Sequence, residues 1–208
     1  MIKQSLLWYI KQLRRPVFTT RELSMLSGRS LSTVTQTLTA LEKKGIIFKI
    51  YRGIWAERGH EQLSPYAAIP LLLPRQRAYV SFISALHLHG IIEQIPQVIT
   101  LASLVHTKTI RTTIGIFSIH RIHPSFCDGF NWYRKEGAFL IAEPEKALID
   151  SLYISTRRKK QFGHFPELHF SKSFNFKKTK EWTKRIPECK IRVSVKRKLK
   201  ELIAQYKV

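Results

Sequence analysis

Apolar positions along the chain change period several times, and those changes outline its elements. Ile2, Leu6, Leu7, Ile10 and Leu13 recur at helical spacing, and Pro16 ends the run. The stretch TTRELSMLSGRSLSTVTQTLTALEKKG (19–45) carries two more such faces. Thr19 or Thr20 caps a short helix with Leu23 and Leu26, Gly28 supplies a turn, and Arg29 or Ser30 opens a second helix that Gly45 closes. In the second helix Leu31, Val34, Leu38 and Leu41 form the expected inward stripe. Past Gly45, IIFKI and GIWAE read as two strands around a tight Tyr51-Arg52-Gly53 hairpin. Together these predict a winged helix-turn-helix over residues 1–60, with Trp55 anchoring the wing to the helices.

The face opposite the apolar stripe of that second helix carries Arg29, Ser32, Thr33, Gln36, Thr37 and Lys43, with almost no acid. Short polar groups read base edges in a major groove, and cations meet phosphates. Arg29, Ser32, Thr33, Gln36 and Thr37 are therefore the candidate base-reading residues. Ser30 caps the helix and donates to phosphate, and Lys49 and Arg52 hold the wing to the backbone.

Residues 57–65 (ERGHEQLSP) are polar and broken by Gly59 and Pro65, which places a domain boundary near residue 60 and a second domain over 61–208. Pro65, Pro70 and Pro74 bracket an apolar segment whose form the pattern leaves open. Residues 77–90 predict a buried helix ending at Gly90. QVITLAS, TTIGIFSIHRI, FNWYR and AFLIA read as strands, and Pro144 with Glu143 and Glu145 starts a helix burying Ala147, Leu148 and Leu152. A last helix from about Ile191 to Tyr206 buries Ile191, Val195, Leu199, Leu202 and Ile203. The predicted class is α+β: a winged N-terminal domain, a mixed α/β second domain and a basic helical tail.

Charge adds a partner to this outline. The 208 residues hold 36 Lys and Arg against 14 acids, a net charge of +22. Such an excess repels itself unless a polyanion is the partner, with nucleic acid first and an anionic membrane surface second. Its distribution sharpens the point: residues 156–208 hold 17 basic and 4 acidic residues, whereas residues 63–155 hold 8 and 6. Arg157, Arg158, Lys159 and Lys160 form a run, and the last helix adds Arg192, Lys196, Arg197, Lys198 and Lys200. Among these, Arg157, Arg158, Lys159, Lys160, Lys196 and Arg197 are candidate phosphate contacts. Phe170, Phe174, Phe176 and Trp182 interleave with the basic residues and read as core. No apolar run reaches the roughly 18 residues of a membrane span, no signal-peptide cleavage site follows the first helix, and Cys127 and Cys189 form no framework. A cytoplasmic protein is expected.

Candidate chemistry changes the picture little. Glu143, Glu145, Lys146 and Asp150 lack nuclease spacing, because Pro144 stands where the acid two residues before the lysine belongs. The plainer reading pairs Lys146 with Asp150 one helical turn on. His120, His123 and Cys127 have no fourth ligand nearby in sequence. His87 and His89, two apart on a helix, cannot share a face. No phosphate loop or nucleophile elbow occurs. Neither a catalytic set, a metal site nor a cofactor is expected.

The blocks YVSFISALHLHGIIEQIP, VITLAS, GIFSIHRIHPSFCDGF and GAFLIAEPEKALIDSLYIS, in that order, resemble the AbiEi antitoxins of type IV toxin–antitoxin and abortive-infection systems. The resemblance runs through about Ser155, with weaker likeness in the basic tail. It implies a winged domain that binds inverted repeats in the promoter of its own operon, two or more copies on DNA, and a C-terminal domain needed for antitoxicity. It also implies an AbiEii-type nucleotidyltransferase toxin as functional partner, opposed without stable direct contact. An RNA-binding factor acting on a toxin's RNA target, or a solitary winged-helix regulator, is the alternative to a DNA-binding autorepressor.

Overall fold

The computed structural model describes residues 4–134, 138–157 and 167–205. The chain is a mixture of helices and sheets, of α+β class, and divides into two compact units. One comprises Met1–Arg75, Arg111–Gly115 and Tyr133–Phe139, and the other Gln76–Ile110, Ile116–Trp132 and Leu140–Val208.

The first unit begins with α1 (Leu6–Gln12), capped by the Ser5 hydroxyl, followed by β1 (Val17–Thr19) and α2 (Thr20–Ser27). Thr19 caps α2 through a reciprocal box: its hydroxyl accepts from the Glu22 backbone N–H, and the Glu22 carboxylate accepts from the Thr19 N–H. Gly28 ends α2 in the left-handed conformation (φ 64°), which a side chain would strain. Ser30 then caps α3 (Leu31–Lys43). β2 (Ile47–Tyr51) and β3 (Ile54–Glu57) form a hairpin, and the sheet order is β1-β3-β2, antiparallel throughout. A 3-10 turn (Pro65–Ala68) and a short α4 (Ile69–Leu72) occupy the proline-bracketed segment.

The core of this unit joins Leu6 and Ile10 of α1, Phe18, Leu23, Val34 and Leu38, Ile47 and Trp55. Each such side chain contributes roughly 1.5–3 kcal/mol by leaving water. Trp55 pairs with Phe18 across the sheet and donates its indole N–H to the Thr20 hydroxyl at 3.0 Å, so it ties the hairpin to α2 as expected. Two later segments complete the unit. Thr113 donates its backbone N–H to Ile50 O (3.3 Å) and its hydroxyl to Lys49 O (2.9 Å), along β2. Phe139 stacks on Tyr66 at 4.8 Å and packs against Tyr133.

The apolar stripe differs from its sequence reading at both ends of the Gly28 turn. Leu26 and Leu31 are 52% and 50% exposed. Both keep helical spacing, but each sits in a terminal turn beside Gly28, outside the cluster that buries Leu23, Val34 and Leu38.

The second unit is built on a six-stranded sheet. Its strands are β4 (Ala78–Val80), β5 (Ile99–Ser103), β6 (Lys108–Thr112), β7 (Gly115–Arg121), β8 (Phe130–Tyr133) and β9 (Phe139–Ala142), ordered β6-β7-β5-β4-β9-β8. β4 runs antiparallel to β5 and parallel to β9, and β5 runs parallel to β7. The helix expected over 77–90 is thus a strand followed by a shorter α5 (Phe82–Leu88), joined at Phe82, which is buried with a left-handed φ of 58°. That junction breaks a period which the side chains alone carry unbroken. α6 (Pro144–Arg157) packs against α5, α7 (Phe176–Lys184) and α8 (Cys189–Gln205). The aromatics of the basic tail are largely core: Phe174 and Trp182 are buried, and Phe170, Phe174 and Phe176 pack edge and face within about 5 Å. In α8, Val195, Leu199 and Leu202 are buried, while Ile191 and Ile203 are only half so.

Candidate nucleic-acid interface

α3 is an odd helix by propensity. Its outer face holds Thr33, Thr35, Thr37, Thr39 and Ser32, residue types that weaken a helix through stiff χ1 and competing backbone hydrogen bonds. The helix is held instead by Val34 and Leu38 in the core and by its cap, where the Ser30 hydroxyl accepts from Thr33 N–H at 3.2 Å. Ser32, Thr33, Thr35, Gln36, Thr39, Ala40 and Lys43 are exposed, whereas Thr37 is half-buried on the flank. From Ser32, steps of three and four residues pass through Gln36, Thr39 or Ala40, and Lys43, so these line the stripe most distant from the core. Sequence reading placed Ser32, Thr33, Gln36 and Lys43 on this stripe but overlooked Thr39 and Ala40, which the same spacing reaches.

The hydroxyls on this face are already engaged. Ser30 Oγ lies 2.8 Å from both Ser32 Oγ and Thr33 Oγ1. Thr35, Thr37 and Thr39 each donate to the carbonyl four residues earlier, at 2.7, 2.9 and 3.0 Å. Arg29 is half-buried and donates to Gln4 O at 2.8 Å, so its guanidinium engages the N-terminal segment. Glu42, the acid nearest the stripe, accepts from Lys49 N–H at 3.1 Å.

The hairpin adds cations beside α3. Lys49 and Arg52 are exposed, the Lys49 ammonium lies 5.6 Å from the Trp55 ring, and Tyr51 is 38% exposed next to the turn.

The tail cations divide into two sets. On α7, Lys177, Lys180 and Lys184 are exposed at helical spacing. On α8, Lys190, Lys196, Arg197 and Lys200 are exposed, with Arg197 3.9 Å from Glu201. Arg192 and Lys198 are turned inward: Arg192 donates to the Ile186 carbonyl (3.3 Å), and Lys198 to the Ser155 hydroxyl (2.8 Å). Arg157 ends α6, and Arg158, Lys159 and Lys160 lie outside the described residues.

The second unit also buries a charged cluster. Lys146 and Asp150 pair one turn apart on α6 with no exposed side-chain surface. Asp150 also accepts from Ser81 (2.7 Å) and Tyr79 (3.1 Å), and the Lys146 ammonium sits 3.9 Å from the Phe126 ring. Burial pushes the Asp150 carboxyl up and the Lys146 ammonium down, each partly offset by the other. Burial, then the Asp150 charge, also raises the Tyr79 phenol. With both charges sealed and hydrogen-bonded, the cluster ties α6 to β4.

The remaining polar candidates are dispersed. His120 is buried and lies 3.1 Å from Ser118 Oγ, whereas His123 is exposed and pairs with Ser125. His87 and His89 bond to the separate carbonyls of Ile92 and Ala142. Among the described residues no group of His, Cys, Asp and Glu is placed to hold a metal ion, and no helix is long and apolar enough to cross a membrane. No protein-family model matches the chain, and no curated protein matches it.

Proposed function

We propose that this chain is a sequence-specific DNA-binding transcriptional repressor of its own promoter and the antitoxin of a type IV toxin–antitoxin pair, acting in the cytoplasm. The observation that carries the reading is α3: an exposed, acid-free, hydroxyl-rich stripe on a helix that opens after a glycine turn and is followed by a cationic hairpin. A helix face kept against its own propensity is expected where surface chemistry, not stability, is selected. In this reading α2, the Gly28 turn, α3 and the β2–β3 hairpin act as a winged helix-turn-helix. α3 enters the major groove, and Lys49 and Arg52 meet the backbone. The exposed lysines of α7 and α8 add phosphate contacts without sequence preference. The AbiEi resemblance supports the antitoxin role and an operator of inverted repeats bound by two or more copies. It also names the functional partner, an AbiEii-type nucleotidyltransferase toxin.

The test is titration of the full chain against its own upstream region, a scrambled duplex and a structured RNA. Preference for the upstream duplex, lost on Gln36→Ala, is the expected result. Equal affinity for all three overturns the repressor reading, and preference for RNA assigns the basic tail to an RNA target.

A further inference from the structure

The hydrogen bonds on the α3 stripe decide which base edges it is able to read. A threonine hydroxyl has one proton, and in Thr35, Thr37 and Thr39 that proton is donated to the preceding turn. What each then offers outward is an oxygen that only accepts and a γ-methyl. Ser30 Oγ bonds to both the Ser32 and Thr33 hydroxyls, which commits two of their three protons and leaves one single-proton donor at the start of the helix. Guanine presents two acceptors in the major groove, N7 and O6, and its usual reader is a bidentate Arg or Lys. α3 carries no such group before its last turn: Arg29 precedes the helix and spends one guanidinium N–H on Gln4 O, and Lys43 lies one turn beyond Thr39 and Ala40. Gln36 is the exposed residue in the middle of the stripe that carries both a donor and an acceptor, the pair that matches adenine N7 and N6. Thr33, Thr39 and Ala40 surround it with methyl groups, the complement of the thymine 5-methyl.

We infer that α3 selects A·T base pairs at the positions it contacts, with Gln36 taking an adenine through N6 and N7, and Thr39 and Ala40 packing on neighbouring thymine methyls. This rests on the reading of α3 as the major-groove helix, and it supplies the chemical class of operator that reading leaves open. The discrimination is made from the major-groove side, so it is separable from any preference of the hairpin for a narrow, A·T-rich minor groove.

The experiment has two stages with the full-length protein. Binding-site selection from a randomised duplex pool identifies the preferred site, and Gln36→Ala and Thr39→Ser variants identify the positions that depend on α3. Substitution of 7-deazaadenine for adenine then deletes the N7 acceptor, and deoxyuridine for thymidine deletes the methyl, without altering the minor groove edge. At α3-dependent positions the expected site is A·T. There, 7-deazaadenine weakens binding by about tenfold in the parent protein and barely in Gln36→Ala, the effect of losing one of the two hydrogen bonds of the bidentate contact. Each contacted thymine that loses its methyl costs about threefold to fourfold. Selection of G·C at those positions, or indifference to both analogues, overturns the inference and leaves the DNA-reading role of α3 intact. A pool that yields no enriched site, or one insensitive to both α3 variants, overturns that role and the inference with it. Because both side chains are exposed, matching circular dichroism of the variants separates loss of contact from loss of fold.

Discussion

The indole of Trp182 occupies the space that a side chain at residue 129 would need: a β-carbon on Gly129 would lie 2.3 Å from Trp182 Cζ2. Gly129 also has φ 76°, and its N–H donates to Asp128, whose carboxylate pairs at 2.8 Å with Arg185, itself stacked 4.3 Å from the Trp182 ring. Gly129→Ala combines a left-handed alanine with overpacking, so a loss of about 2–5 kcal/mol in unfolding free energy is expected. Chemical denaturation checks it, and a change below about 0.5 kcal/mol would show that Trp182 moves aside freely.

The sealed Lys146–Asp150 pair gives a second prediction. Lys146→Met leaves the carboxylate without its partner and is expected to cost about 3–5 kcal/mol, much of it recovered when Asp150→Leu is added. Burial already raises the Asp150 carboxyl. An acid whose folded value lies above its unfolded value adds stability at low pH and loses it as the pH climbs through the folded value. Lys146→Met should therefore become relatively more stable on acidification, from neutral pH toward the ordinary aspartate value of 3.8. Unfolding curves at several pH values read the slope; a single variant that unfolds like the parent at every pH would refute the sealed-pair account.

Glu22 has the opposite sign. Burial alone would raise it, but hydrogen bonds from Arg15 and Thr19 outweigh burial and hold the carboxyl below its ordinary value of 4.5. The stability it contributes is present above 4.5 and is lost as the pH falls through the lower folded value. Glu22→Gln should flatten that acid limb because near pH 7 it removes both the charged half of the cap and the partly exposed Arg15 pairing, a loss of about 0.5–2 kcal/mol. Amide exchange in α2 from pH 6 downward reports it locally, and an unchanged acid limb would place the sensitivity in other carboxylates.

For binding, α3 and the tail lysines should separate by salt dependence. Gln36→Ala should lower discrimination between specific and scrambled duplexes and leave the slope of log affinity against log salt nearly unchanged. Replacing Lys190, Lys196 and Lys200 by Gln should weaken both duplexes alike and reduce the slope by up to about three. Fluorescence anisotropy at four salt concentrations measures both quantities, and identical behaviour of the two variants would remove the division between base reading by α3 and phosphate contact by α8.

How far the sequence reached depended on the distance over which each feature is encoded. The Thr19 cap, the Ser30 cap, the hairpin turn and the Lys146–Asp150 spacing are local, and the residues themselves state them. Leu26 and Leu31 were misplaced because periodicity assigns a face but cannot tell that a helix end lies beyond its core. β4 is three residues long and joins α5 through a left-handed Phe82, so its signal merged with the helix behind it. The burial of Lys146 was illegible for a different reason. Tyr79, Phe126 and Trp182, which surround the ammonium, come from three separate stretches of the chain. On the candidate interface, the types of residue on α3 were legible. The commitment of their protons, and the bond from Arg29 to Gln4, were not.

The discontinuity of the first unit has a consequence for how the protein comes into being. Thr113, which bonds along β2, and Phe139, which stacks on Tyr66, belong with the helices and hairpin encoded in the first 75 residues. At a synthesis rate of about 5–20 residues per second, residue 139 is added several seconds after residue 75. Until residue 113 has been added, the nascent chain carries α3 without the turn that braces its neighbouring hairpin. A complete first unit therefore follows translation of the later segments, and a nonsense codon soon after residue 75 would release a piece lacking both.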